Sequence, residues 1–329
     1  MKKIVGIVVI VLIAILTASG FYYNYVTKAP LKGEEITIVV NEGDSLYNIL
    51  DTLDSQGFIK NKTLIKVYMR LHNTSVELVP GTFKVSGKSS LDELIDVLKN
   101  KNNEGSISVT IPEGYDIEKM AILFEEKGLF TKDEFLKAVK EYPAPDYIPA
   151  KEGRRYDLEG FLFPDTYFFN QGVQPNEVIA TMNNAFNSKI NSIIPEGANV
   201  YDIITIASLI ENETSLDEER PLVSSVIYNR LKSDNMNKLQ IDATVIYALG
   251  EHVDTVLYKH LEVDSPYNTY KNDGLPLGPI SSPGLASISA AANPESTDYL
   301  FYVLEKDKMH HYFTNNDVDF MNKLNELGY

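Results

Sequence analysis

The first apolar run, Ile4 to Tyr23, holds twenty residues without a charge and follows Lys2 and Lys3. About 20 apolar residues in a helix cross the ~30 Å hydrocarbon layer of a bilayer. The run therefore predicts a transmembrane helix, with Tyr22, Tyr23 and Tyr25 at the depth where aromatic rings gather. The two lysines and the terminal amine keep the N-terminus in the cytoplasm and send the rest of the chain outside. A cleaved secretory signal is the competing reading, but its apolar core ordinarily has about 7–15 residues. Beyond the run the pattern becomes amphipathic. Ile36–Val40 reads as a strand. Leu46, Ile49, Leu50 and Leu53 recur at helical spacing, and Gly57 ends that helix. A second helix follows Asn61, with Leu64, Ile65, Val67, Tyr68 and Leu71 on its apolar face. After a strand near Gly81–Val85, Ser90-Leu-Asp-Glu93 is a capping-box pattern that opens a helix through Leu98.

The polar stretch Lys99–Gly105 marks a domain boundary, and a repeat crosses it. A shift of 71 positions brings Ile36 onto Ile107, Glu42-Gly43 onto Glu113-Gly114, Leu46 onto Ile117 and Gly57 onto Gly128. Both copies read strand, Glu-Gly turn, helix, glycine stop, helix, as duplication of a small α+β module would produce. The first copy, with its Glu42-Gly-Asp-Ser-Leu46 turn, resembles the LysM module that binds N-acetylglucosamine-containing glycans.

Further on, Tyr201–Ile210 is apolar at most positions and ends in Glu211-Asn-Glu213-Thr214. The run is too short to span a bilayer and suits a buried helix. A carboxyl at the end of such a helix loses water, so its pKa rises and it can protonate a leaving group. Two positions apart on a helix, Glu211 and Glu213 point to nearly opposite sides. One is expected to be the acid and the other an ion-pair or hydrogen-bond partner; the plainer alternative is a pair of exposed helix-end charges. Ser215-Leu-Asp-Glu218 reads as a capping box for a next helix to about Leu231, with Leu222, Val223, Val226, Ile227 and Leu231 inward. A helix is also predicted from Pro175 to about Ile193. The stiff loop Gly274–Gly284 follows later, then a helix over Leu285–Ala292, strands around Tyr299–Leu304 and His310–Phe313, and a helix over Asp317–Leu327.

Composition narrows the chemistry. The formal net charge of −16 repels phosphate backbones, so nucleic acid is not an expected partner. Without cysteine there is no disulfide framework and no thiolate chemistry. No Gly-x-Ser-x-Gly elbow, phosphate-binding Gly-Lys-Ser/Thr loop or His-Glu-x-x-His occurs, and the five histidines are scattered. No metal site and no cofactor is expected.

Motifs in order along the chain resemble the endolytic murein transglycosylase (YceG-like) family. They include Thr110-Ile-Pro-Glu-Gly114, Glu159-Gly-Phe-Leu-Phe-Pro-Asp165, Ala207–Thr214 and Val226-Ile-Tyr-Asn-Arg-Leu231. Leu239-Gln-Ile-Asp242 with Thr244-Val-Ile-Tyr247, Tyr267-Asn-Thr-Tyr270 with Gly274-Leu-Pro276, Ser282-Pro-Gly284 and His311-Tyr-Phe313 complete the set. The resemblance implies an α+β protein: an anchor in residues 1–25, a linker at 26–34, a LysM-like module at 35–104 and a catalytic domain at 105–329, whose residues 105–150 form the second repeat copy. It implies a cell-membrane enzyme, with its catalytic domain outside the cytoplasm, that cuts peptidoglycan strands internally near the wall-synthesis proteins. Glu213 matches the family's catalytic acid and Glu211 supports it. Gln240, Asp242, Asn268 and Tyr270 are the candidate glycan contacts. Two other readings stay open: a muramidase that uses water with Asp242 as a second carboxylate, and a non-catalytic wall-binding scaffold.

Overall fold

The computed structural model describes residues 17, 20, 22–41, 43–71, 76, 78–99, 106–190, 193–251, 253 and 255–328. The fold is α+β, with helices and three two-stranded sheets among the described residues. Two compact units divide the chain. The first runs to Val109 and takes in Thr166–Gln171; the second holds Thr110–Asp165 and the chain from Gly172 onward. Most of the expected membrane helix, residues 4–23, lies outside the described residues. Among the described residues no helix is long and apolar enough to cross a membrane. Residues 22–28 are helical, and Val26 is buried in the core of the first unit.

In that unit β1 (Glu35–Val40) pairs antiparallel with β2 (Gly81–Ser86), Ile36 opposite Val85 and Ile38 opposite Phe83. Alternation along β1 turns Ile36, Ile38 and Val40 inward. Two helices lie between the strands in sequence. The first, α1 (Leu46–Ser55), starts at Ser45, whose hydroxyl accepts the Asn48 N–H, and buries Leu46, Ile49, Leu50 and Leu53. The second, α2 (Lys62–Leu71), corrects the expected face: Val67 is 43% exposed, and Met69 is buried with Ile65. Positions four apart share a helix face; positions two apart do not. The capping box at α3 (Leu91–Lys99) is present, with Ser90 N to Glu93 Oε2 at 2.8 Å and Glu93 N to Ser90 Oγ at 3.2 Å. Strand β3 (Ser106–Thr110) pairs with β4 (Thr166–Asn170), and Asn170 ties β4 to β2 through the Thr82 carbonyl.

The second unit opens with α4 (Ile117–Glu126) and α5 (Lys132–Glu141), then α6 (Pro175–Ile190), which ends before the expected Ile193. Its central element is α7 (Val200–Glu213), with every residue from Ile203 to Ile210 buried. Helix α8 (Arg220–Lys232), α9 (Asp242–Leu249) and α10 (Leu285–Ala292) pack around α7. A hairpin of β5 (Phe301–Leu304) and β6 (His311–Thr314) and the helix α11 (Asp317–Leu327) close the unit. Within α7, Thr205 donates to the Tyr201 carbonyl at 2.8 Å and Ser208 to the Thr205 carbonyl at 2.7 Å, while the Tyr201 hydroxyl donates out of the helix to the Leu277 carbonyl at 2.8 Å.

The capping box expected at Ser215–Glu218 does not form. Helix α8 begins at Arg220 instead, with Pro221 in its first turn, where a missing N–H leaves no bond unmade. Thr214 takes over the local turn: it ends α7, and its hydroxyl accepts the Leu216 N–H at 3.1 Å. Leu222 and Leu231, expected inward, are only half-buried, while Arg230 is buried.

Candidate active site

Glu213 is the last residue of α7, where the buried helix reaches the surface. Its side chain is half-buried, and Oε2 accepts the Tyr302 hydroxyl at 2.9 Å. Among the described residues Oε1 makes no hydrogen bond to protein, which leaves it available to a ligand. Burial pushes the carboxyl up to about 7; the charge of Asp242 adds to the rise, while the Tyr302 bond and Arg230 oppose it. Near neutrality the group is thus divided between acid and base forms, as proton transfer in both directions requires.

The last hairpin fixes Tyr302. Its ring meets His311 edge to face at 5.6 Å. His311 is held at both ends of its own residue: the backbone N–H donates to Glu219 Oε1 at 2.8 Å, and Nδ1 lies 2.6 Å from Glu219 Oε2. Glu219 also accepts the Thr214 hydroxyl at 3.3 Å. One buried carboxylate therefore joins the residue after Glu213 to the strand behind Tyr302. Arg230 completes this side. Its guanidinium donates to the Leu300 carbonyl at 2.7 Å and the Leu239 carbonyl at 2.6 Å, and it sits 5.8 Å over the Phe301 ring.

Glu211 points elsewhere. Its Oε2 accepts the Gly284 N–H at 3.0 Å and lies 3.6 Å from Arg220 Nη1, which also donates to Ser287 Oγ at 2.7 Å. The carboxylate thus ties the end of α7 to the start of α10. Space there is tight: a Cβ on Gly284 would overlap the Glu113 carboxyl. Burial, and then the charge of Glu211, raises the Glu113 pKa.

The candidate glycan contacts divide. Asp242 starts α9 in an exposed position and accepts the Tyr270 hydroxyl at 2.6 Å. Burial and this bond raise the Tyr270 pKa. Gln240 is exposed with φ of 52°, and its N–H donates to the Thr269 carbonyl at 3.1 Å. A left-handed conformation outside glycine costs roughly 1–2 kcal/mol, so a firm neighbour must hold it. Asn268 corrects the expectation. It is fully buried, its amide donates to the Leu261 and Val263 carbonyls at 2.8 Å each, and its oxygen accepts the Tyr270 N–H at 3.0 Å. With these bonds made, it braces the loop that presents Tyr270.

Tyr302, Glu219 and Arg230 were not singled out by sequence spacing as site residues. Arg230 and the His311-Tyr-Phe313 segment stood inside recognisable motifs, but their meeting with Glu213 depends on tertiary packing. A separate cavity of about 430 Å³ lies in the same unit, with Asn212 and Ala243 in its wall.

The YceG-like family profile matches residues 38–326. The chain is 31% identical to the endolytic murein transglycosylase of Bacillus subtilis (strain 168), covering 89% of this chain and 86% of that protein. It is 30% identical to the endolytic murein transglycosylase of Streptococcus pneumoniae serotype 2, covering 94% of this chain and 62% of that longer protein. A crystal structure of a yceG-like protein from Listeria monocytogenes superposes with a TM-score of 0.58 at 30% identity, over 88% of this chain and 99% of that one. The chain belongs to the YceG-like family.

Proposed function

We propose that this chain is an endolytic peptidoglycan lytic transglycosylase with Glu213 as its single acid and base. The observation that carries the reading is a half-buried carboxyl at the end of a buried helix, raised to about 7 and bonded by protein through one oxygen. The relatives' names supply the substrate class. In the proposed reaction, protonated Glu213 donates to the glycosidic oxygen between N-acetylmuramic acid and N-acetylglucosamine. The C1–O bond breaks and the proton leaves with the N-acetylglucosamine hydroxyl. The Glu213 carboxylate then takes the proton of the muramic C6 hydroxyl as that oxygen bonds to C1. The product is a 1,6-anhydro end, and no water is consumed. An internal nucleophile has a high effective concentration, which offsets the absence of a second carboxylate.

Asp242 is the carboxylate that a water-using muramidase would recruit. Its 2.6 Å bond to Tyr270 favours a role in presenting that ring. We further infer a membrane anchor in residues 4–23 that places both units outside the cytoplasm, supported by the uncharged run behind Lys2 and Lys3. The LysM-like reading of residues 35–104 draws support from the strand–helix–helix–strand order and the antiparallel β1–β2 pair. Wall-synthesis proteins near the membrane are the expected neighbours.

The test is mass spectrometry of purified murein digested by the wild-type chain and by Glu213→Gln. Anhydro ends from the first and none from the second support the reading. Reducing muramic ends would replace it with a muramidase. Glycan cleavage undiminished in the variant would remove Glu213 from the chemistry.

A further inference from the structure

The 430 Å³ cavity differs in chemistry from the surroundings of Glu213. Six charged side chains line it: Lys119, Lys132, Arg155, Asp116, Glu118 and Glu251. Four of them neutralise one another, Lys119 with Asp116 at 3.4 Å and Lys132 with Glu118 at 2.8 Å. The remaining two, Arg155 and Glu251, make no ion pair among the described residues. Arg155 is fixed in place, 4.6 Å over the Tyr247 ring and 3.5 Å from the Ala248 carbonyl. Glu251 is exposed at the rim. Between the charges, Ile122, Ile246 and Ile280 supply apolar wall.

The cavity borders, along the chain, the proposed catalytic residue and the carboxylate that presents Tyr270. Its wall includes Asn212, next to Glu213 on α7, and Ala243, next to Asp242 on α9. Ala243, Ile246, Tyr247 and Gly250 fall at helical spacing and give the cavity one face of α9 and its cap.

Resting on the reading under Proposed function, we propose that this cavity receives the peptide stem of the glycan strand, with Arg155 holding a stem carboxylate and Glu251 a stem amine. The chemistry selects the stem over the sugars. N-acetylglucosamine and stem-bearing N-acetylmuramic acid are uncharged rings, so the ionised groups of a murein strand sit on its peptides. A site lined by a cation and a carboxylate that make no ion pair among the described residues, and by apolar wall, matches a short peptide with carboxylates, an amine and small apolar side chains. Guanidinium is suited to the carboxylate because its planar donors can bond both oxygens. Because each stem branches from a muramic residue, a stem held here fixes which glycosidic bond faces Glu213.

Two measurements on the full chain test this. In the first, release of anhydro ends is compared between murein strands that keep their stems and strands stripped of them by an amidase. The expected result is a preference of roughly tenfold for stem-bearing strands, narrowing toward parity in Arg155→Ala and in Glu251→Gln. Equal cleavage of both strands by the wild type would overturn the proposal. So would variants that slow both strands in the same proportion. Glu251 is exposed, so its variant tests the site even where the loss of Arg155 disturbs Tyr247. The second measurement titrates the free stem tetrapeptide by calorimetry, without turnover. Binding weakened roughly tenfold in either variant supports the site, and a peptide that does not bind, or binds both variants as it binds the wild type, refutes it. Stem binding of the expected pattern with no anhydro product from either strand would keep the cavity assignment and remove the transglycosylase reading.

Discussion

Glu159 and Glu213 are both carboxyls that burial lifts toward neutrality, to about 8 and about 7. Their surroundings give them different work. Glu159 is 1% exposed and enclosed by donors: the Ile117 N–H at 3.1 Å, at the first turn of α4, and the Tyr247 hydroxyl at 2.9 Å. It anchors a helix start and a ring that lines the charged cavity. Glu213 has one protein donor and a side chain that reaches the surface. A raised pKa makes a carboxyl able to carry a proton; access decides whether it can deliver one. The comparison separates structure from chemistry more cleanly than either residue alone.

The largest expected effect is on turnover. Glu213→Gln should lower the rate by roughly 100- to 10,000-fold while the melting temperature stays near that of the wild type, because only the proton donor is lost. Glu159→Leu should do the reverse in kind, costing about 2–4 kcal/mol in denaturant unfolding because it strands the Ile117 N–H and the Tyr247 hydroxyl in the core. A catalytic loss in Glu159→Leu without a stability loss would break the distinction.

The pH dependences sharpen it. A carboxyl whose folded pKa lies above its unfolded value keeps its proton in the folded state after the unfolded chain has lost it. Its stabilisation is fully present below about pH 4.5 and is lost as pH rises through about 8 for Glu159. Glu159→Gln should therefore flatten the decline of stability across that window, measured by denaturant titration at several pH values. For Glu213 the readout is activity, which should fall above about pH 7 as the acid form disappears. The Tyr302 bond favours the charged form, so Tyr302→Phe should move this alkaline limb to higher pH. An unmoved limb would mean that the tyrosine does not govern the acid. The smallest effect is a control in the first unit: Ser45→Ala removes the α1 cap and should cost about 1 kcal/mol of stability with kcat unchanged.

Local pattern carried much of the fold. The α1 face of Leu46, Ile49, Leu50 and Leu53 follows from spacing alone, as do the bounds of α10 and α11. Leu46 and Ile117, 71 positions apart, each begin a ten-residue helix, and Gly57 and Gly128 after them both take positive φ, 77° and 72°. What spacing could not show is where the copies differ. A Cβ on Gly43 would meet nothing within 4 Å, whereas Gly114 donates to the Ser282 carbonyl at 2.8 Å and lies against Glu211. The same turn is open in one copy and built into the site in the other. The Ser215–Glu218 signature misled for a related reason: Glu219 is engaged by Thr214 and by His311, and the second of these contacts spans 92 positions, for which local propensity has no signal. Asn268 was misplaced because its residue type suits a ligand contact and a loop brace equally, and only its three made bonds decide.

The hydroxyl that bonds Glu213 stands 89 positions further along the chain, on β5. A ribosome delivers α7 about ninety residues before it delivers Tyr302 (213 to 302), so the helix can pack while the acid is still unadjusted. A chain cut short after α10 would carry the glutamate without its hydroxyl partner or the His311 clamp. Synthesis order thus makes the carboxyl wait for the β5–β6 hairpin before its surroundings are complete.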